Sequence, residues 1–251
     1  MNAEIANRVQ EHDSSLAEAP AHGSGHSIAL MQETGTLTPY QLHARRLIQA
    51  DGTSREMADA FREVRTRLLD LSDGQNFTTL VVPVSAGSGA SFVARNLALA
   101  FAFDDSRSAL LVDCNLRNPT QDRALDVDVD SGGLIDYLEH PAHGIKPIVY
   151  HTGVPRLRLI PAGKTREAQG EYFSSFRMRA VLDSLRCRYP DRYLFLDGPP
   201  IKGSPDARIL SDLADYVVVV AGYGRDTPAT INHAVAGFNP NKLAGLVFNE
   251  A

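Results

Sequence analysis

The chain has 251 residues, 43% of them hydrophobic, with 25 Lys and Arg against 30 Asp and Glu for a formal net charge of −5. That length suits one α/β domain, or a domain with an irregular extension, and is ample for a full core; the mildly negative balance does not indicate a broad nucleic-acid or membrane-binding surface. No apolar run approaches the roughly 20 residues that span a bilayer, and the N-terminus lacks the basic and apolar parts of a signal peptide, so the chain reads as cytoplasmic.

Residues 1–36 are rich in Ala, Ser, Gly, His and Glu and poor in large apolar side chains, the composition of a flexible tail. Residues 37–53 read as a helical lead and residues 54–251 as the folded domain. A helix is expected over 54–71, where Met57, Phe61, Val64 and Leu68 recur at helical spacing and Ser54 can cap the start. From residue 78 the pattern alternates strand, loop and helix. Strands are expected at 79–84, 108–113, 156–161, 192–197, 215–222 and 244–249, and helices at 91–103, 171–188, 206–214 and 227–237. Continuous apolar runs suit strands buried on both faces of a parallel sheet. The alternation implies a doubly wound, mostly parallel α/β sheet, with ligands beyond the carboxyl ends of its strands. The two cysteines, Cys114 and Cys187, read as buried thiols rather than a disulfide or reactive site.

Three loops at such strand ends carry chemistry. The first, 85-SAGSGAS-91, is a glycine-rich turn of the kind that points backbone N–H groups at phosphate, with the following helix adding its positive end. Gly87, Ser88, Gly89, Ala90 and Ser91 are its candidate cofactor-binding residues; Gly89 and Ser91 fit the final glycine and the hydroxyl of a P-loop, but Ala90 stands where the lysine belongs. Read alone, the same turn could merely let helix and strand pack. The second loop, 113-DCNLRNPT-120, opens on Asp113, either a carboxylate facing the first loop or a turn cap. The third, 197-DGPPIKGSPD-206, opens on Asp197, the position from which a strand-end aspartate holds Mg²⁺ through water. Ser91, Asp113 and Asp197 are the candidate Mg²⁺ ligands, and Asp113 and Asp197 the candidate catalytic residues. His140 and His143 have i, i+3 spacing, but the proline between them favours a loop over a metal-binding helix, and the acidic run Asp126, Asp128, Asp130 lacks the glycine and glutamate of a calcium loop.

Taken together, the order P-loop, D-x-[DN]-L-R-x-P, strand-D-x-P-P resembles the MinD/ParA-like branch of P-loop NTPases. More closely, it resembles the bacterial tyrosine autokinases of exopolysaccharide synthesis, above all the versions associated with exosortase protein sorting. The matching text runs from 59-DAFREVRTRLL-69 through 110-LLVDCNLRNPT-120 and 133-GLIDYL-138 to 193-YLFLDGPPIKGSPDARILSDLADYVVVV-220. The resemblance implies that Asp113 and Asp197 are the paired site aspartates, and that Asp59, Arg62 and Arg65 match a helix that contacts a neighbouring subunit. Three departures accompany the match. Ala90 replaces the lysine, Asn115 replaces a second carboxylate, and the family's C-terminal tyrosine cluster is unmatched, the last tyrosine being Tyr223.

Two unit charges 4 Å apart are worth roughly 4 kcal/mol at an effective dielectric near 20. Loss of the lysine therefore costs at most roughly a thousandfold in phosphate stabilisation. Lys202, in the loop after Asp197, is the candidate substitute cation. The resemblance thus implies a degenerate, kinase-like cytoplasmic protein, with ATP or ADP and Mg²⁺ bound weakly or not at all. It would self-associate and act peripherally at the inner membrane by binding a polysaccharide co-polymerase or synthase. The competing expectations are an active tyrosine autokinase or ATPase with a substitute cation, and a MinD/ParA-like positioning ATPase.

Overall fold

In the computed structural model, which describes residues 35–49, 55–164 and 171–250, all six apolar runs become strands of one sheet. They are β1 (Thr78–Pro83), β2 (Ser108–Asp113), β4 (Leu157–Ile160), β5 (Arg192–Asp197), β6 (Tyr216–Gly222) and β7 (Leu243–Asn249), joined by a two-residue strand β3 (Tyr150–His151) that periodicity did not reveal. The order is β3-β4-β2-β5-β1-β6-β7, parallel throughout except for β3 against β4. Readings that fall on residues 1–34 and 50–53 and on the Ser54 cap lie outside the described residues.

Side-chain alternation divides the core into two layers. Leu80 and Val82 of β1 face one layer with Leu110, Val112, Leu194 and Leu196; Val81 faces the other with Leu111, Phe195 and Val218. The second layer is covered by α3 (Ala90–Ala102), which is apolar on nearly every side and almost wholly buried. At its end, Phe101 packs on Tyr193 and Phe195 with ring centroids 4.7 and 5.1 Å apart. Outside it lies α2 (Arg55–Ser72), whose Phe61 and Leu68 are buried while Met57 and Val64 stay partly exposed beside β7.

The lead segment contributes one short helix, α1 (Pro39–Ala44), opened by a reciprocal capping box between Thr38 and Gln41. Its continuation is tied to the core where the Ile48 N–H donates to the buried Asn96 side chain at 2.8 Å. The loops after β2 add α4 (Gln121–Leu125) and α5 (Leu134–Glu139), helices too short for a periodic signal.

The single helix expected over 171–188 is two, α6 (Glu171–Ser174) and α7 (Phe176–Arg188). Ser175 leaves helical geometry and caps α7 through the Met178 N–H. The layer opposite α3 is completed by α8 (Asp206–Leu213) and α9 (Pro228–Val235). Cys114 is buried, but Cys187, on the outward side of α7, is exposed, which corrects its reading as a buried thiol.

Candidate functional site

Sheet order brings the three loops together. β1 lies between β5 and β6, and β2 lies beyond β5, so the loops after β1, β2 and β5 share one end of the sheet. Asp113 pairs in register with Asp197, and Asp197 with Val81.

The third loop stays close to β1. Gly198 leaves no room for a Cβ, which would come 2.6 Å from the Val82 side chain. Pro199 and Pro200 carry no N–H, and the next two N–H groups, of Ile201 and Lys202, donate to the carbonyls of Pro83 and Val84.

The first loop turns through Gly87 and Gly89, at φ of +84° and +87°, conformations that favour glycine. Gly89 is the N-cap of α3 and supplies no side-chain cap, so the first N–H groups of a thirteen-residue helix point into the loop. Ala90 is 3% exposed and presents only a methyl group.

The acid pair is buried behind the loop, both side chains at 0% exposure. Asp113 accepts backbone N–H groups from Asn115, Thr120 and Gln121 at 3.0–3.1 Å. Burial, then the charge of Asp197, pushes Asp113 up to about 7 against those three bonds. Burial likewise raises Asp197 to about 6, opposed by the Gln121 amide, the Ser91 hydroxyl and the charge of Arg95.

Gln121 was not singled out from sequence, since it stands one residue beyond the 113–120 motif. Its Nε2 donates to the Ser91 carbonyl at 2.9 Å and to Asp197 Oδ2 at 2.6 Å. Arg95 turns back to the Ser91 carbonyl at 3.3 Å and stacks over Phe92.

Asp197 Oδ1 and Gln121 Oε1 are buried without a hydrogen-bond partner among the described residues. Orphaned acceptors beside a hydroxyl fit a hard cation, so Ser91, Asp113 and Asp197 would hold Mg²⁺, which supplies charge neutralisation to a bound phosphate when present. No cluster of three or more His, Cys, Asp or Glu occurs among the described residues.

The remaining predicted residues lie elsewhere. Lys202 is exposed and borders a cavity with Val84, Arg208 and His233. Arg62 is exposed and pairs with Asp59 at 2.7 Å. Arg65, the third residue matched to a subunit-contact helix, folds against its own chain. It donates to the Ala100 carbonyl at 3.2 Å, pairs with Asp104 at 3.1 Å and covers the Phe101 ring.

Sequence reasoning also missed the far wall of the loop. There Ser88 Oγ donates to Asp226 at 2.6 Å, Asn249 donates to the Ser88 carbonyl, and Arg225 donates to the Ala86 carbonyl at 3.3 Å. These contacts follow from β6 lying beside β1 and β7 beside β6, which the linear sequence does not announce.

No protein-family model matches the chain. Among curated proteins it is 28% identical over 221 residues to the tyrosine-protein kinase CpsD of Streptococcus agalactiae, covering 85% of this chain and 90% of that one. It is 24% identical over 195 residues to the tyrosine-protein kinase ptk of Acinetobacter johnsonii, where the match covers 76% of this chain but only 26% of the larger protein. Among solved structures, the BceF tyrosine kinase domain is 27% identical with a TM-score of 0.66, covering 76% of each chain. The cell division ATPase MinD of Pyrococcus furiosus shares the fold at a TM-score of 0.54 and 22% identity, over 68% of this chain and 71% of its own. Among the described residues no helix is long and apolar enough to cross a membrane. With the strand order, the glycine loop and the paired aspartates in place, the chain is similar in sequence to the bacterial tyrosine kinases and shares the P-loop fold of MinD/ParA-like ATPases.

Proposed function

We propose that this protein is a degenerate member of the family that works by binding rather than catalysis, as a cytoplasmic component of exopolysaccharide synthesis or export. Ala90 is the observation that carries the reading. Around it the glycine turn and the buried aspartate pair are kept, but the residue that would meet the transferred phosphate is a methyl group. Without that cation the charge that develops on a phosphoryl group in flight is poorly stabilised, whereas a fold and a surface need no lysine.

The partner that fits the family is an inner-membrane polysaccharide co-polymerase or synthase, through which the protein is held peripherally at the membrane. Docking at α2 and β7 is supported by the cavity of about 590 Å³ between them, bordered by Met57, Phe61, Val64, Leu246 and Phe248. Phe248 is 64% exposed on β7, an edge strand whose outer backbone groups have no neighbouring strand among the described residues. Co-purification of the full chain from detergent extracts, with and without residues 1–53, tests this. Recovery with a membrane protein of polysaccharide synthesis supports it; recovery as a free monomer under mild salt contradicts it.

A second reading, an active kinase or ATPase with a substitute cation, is favoured by the orphaned oxygen of Asp197, which fits Mg²⁺. Turnover of Mg-ATP separates the two.

A further inference from the structure

The loop without its lysine has another cation at its opposite end. Arg225 follows β6, in a tight turn fixed by its own N–H and that of Asp226, both donated to the Gly222 carbonyl. Its guanidinium lies directly over Gly87: a Cβ at that glycine would stand 3.1 Å from Nη1, 3.2 Å from Cζ and 3.5 Å from Nη2. Among the described residues its one hydrogen bond is from Nη1 to the Ala86 carbonyl, which leaves most of a five-donor fork without an acceptor.

The neighbouring carboxylate does not neutralise it by contact. Asp226 directs Oδ2 to the Ser88 hydroxyl at 2.6 Å and to the Gly222 N–H at 2.8 Å, and no ion pair joins it to Arg225 among the described residues. Arg225, Gly87, Ser88, Gly222, Tyr223 and Asn249 together border a cavity of about 230 Å³.

We infer that Arg225 is the phosphate-binding cation of this site, and that the loop takes a diphosphate group, free or carried by a nucleoside, between the Arg225 fork and the N–H groups of the glycine turn. This rests on reading the loop as a phosphate cradle that lost its lysine. A guanidinium suits the role because its planar donors meet two phosphate oxygens at once. Its position also accounts for binding without turnover. Arg225 stands at the Gly87 end of the loop, while Ser91 and Asp197, tied by Gln121, stand at the other. A phosphate held by Arg225 is thus retained without a cation at position 90 to stabilise its transfer.

The test is calorimetric titration of the full chain with pyrophosphate and with ADP, each with Mg²⁺, for the unmodified protein, Arg225→Gln, Arg225→Lys and Lys202→Ala. Arg225→Gln removes the charge but can still donate to Ala86, and its melting temperature checks that the loop is intact. Loss of a charged hydrogen-bonding group predicts affinity weaker by about tenfold or more for both ligands, with Arg225→Lys keeping part of it. The inference is overturned if the unmodified protein binds neither ligand at millimolar concentration. It is equally overturned if Arg225→Gln binds as tightly as the unmodified protein, or if Lys202→Ala alone reproduces the loss. Phosphate release from ATP, measured on the same preparations, reports on the non-catalytic reading separately.

Discussion

A single amide joins the helix of the glycine loop to the buried acid of the third loop: Gln121 Nε2 lies 2.9 Å from the Ser91 carbonyl and 2.6 Å from Asp197 Oδ2. The second of these bonds goes to a carboxylate at 0% exposure, where an unmade bond is most costly. Gln121→Ala is expected to lower stability by about 2–3 kcal/mol. Urea denaturation should show the midpoint falling at an unchanged slope. An unchanged midpoint would mean that the amide does not hold the two loops together.

The acid pair makes stability depend on pH in an unusual direction. Asp113 and Asp197 are raised from the ordinary 3.8 to about 7 and about 6, so through that interval the folded chain binds more protons than the unfolded one. The pair's contribution is therefore fully present below the ordinary carboxylate pKa and is lost as pH rises through the raised values. Asp197→Asn keeps the shape, removes one charge and relieves Asp113 of its neighbour's repulsion. Stability at pH 8 is expected to rise by about 1–3 kcal/mol relative to pH 5. A variant with the same pH slope as the unmodified protein would contradict this.

Arg62 and Arg65 are expected to separate assembly from folding. Arg65 holds α2 to the end of α3 through Ala100 and Asp104, so Arg65→Ala should cost about 1–2 kcal/mol of stability. Arg62 and its partner Asp59 are both exposed, and the surface pair itself contributes little. If this face contacts a second copy, Arg62→Glu should shift the sedimentation profile towards monomer while leaving the melting temperature unchanged. An unshifted profile would mark Arg62 as a solvated surface residue.

Much of the architecture is legible in the sequence because fully buried parallel strands are written as continuous apolar runs, as at 79–84 and 192–197. Asp113 and Asp197 are legible for the same reason: each ends such a run with a charge. What escapes is short or depends on strand order. β3 has two residues and α4 has five, too few for any period to emerge. Arg225 and Asp226 are separated from the loop they touch by more than 130 residues, and only the placement of β6 beside β1 brings them there. Arg65 shows the same limit on one helix, where spacing gives the face but not the reach of a long side chain to Asp104.

The most direct test of the central claim is Mg-ATP turnover by the purified, unmodified protein, followed as phosphate release and as phosphotyrosine, beside Ala90→Lys. With only a methyl group at position 90, little or no turnover is expected from the unmodified protein. Ala90→Lys should raise Mg-ATP affinity by tenfold or more, within the roughly thousandfold ceiling of the missing charge, provided its melting temperature shows that the loop still folds. Sustained turnover by the unmodified protein would contradict the account, because the site would then be working without the lysine whose loss defines it as a binding site.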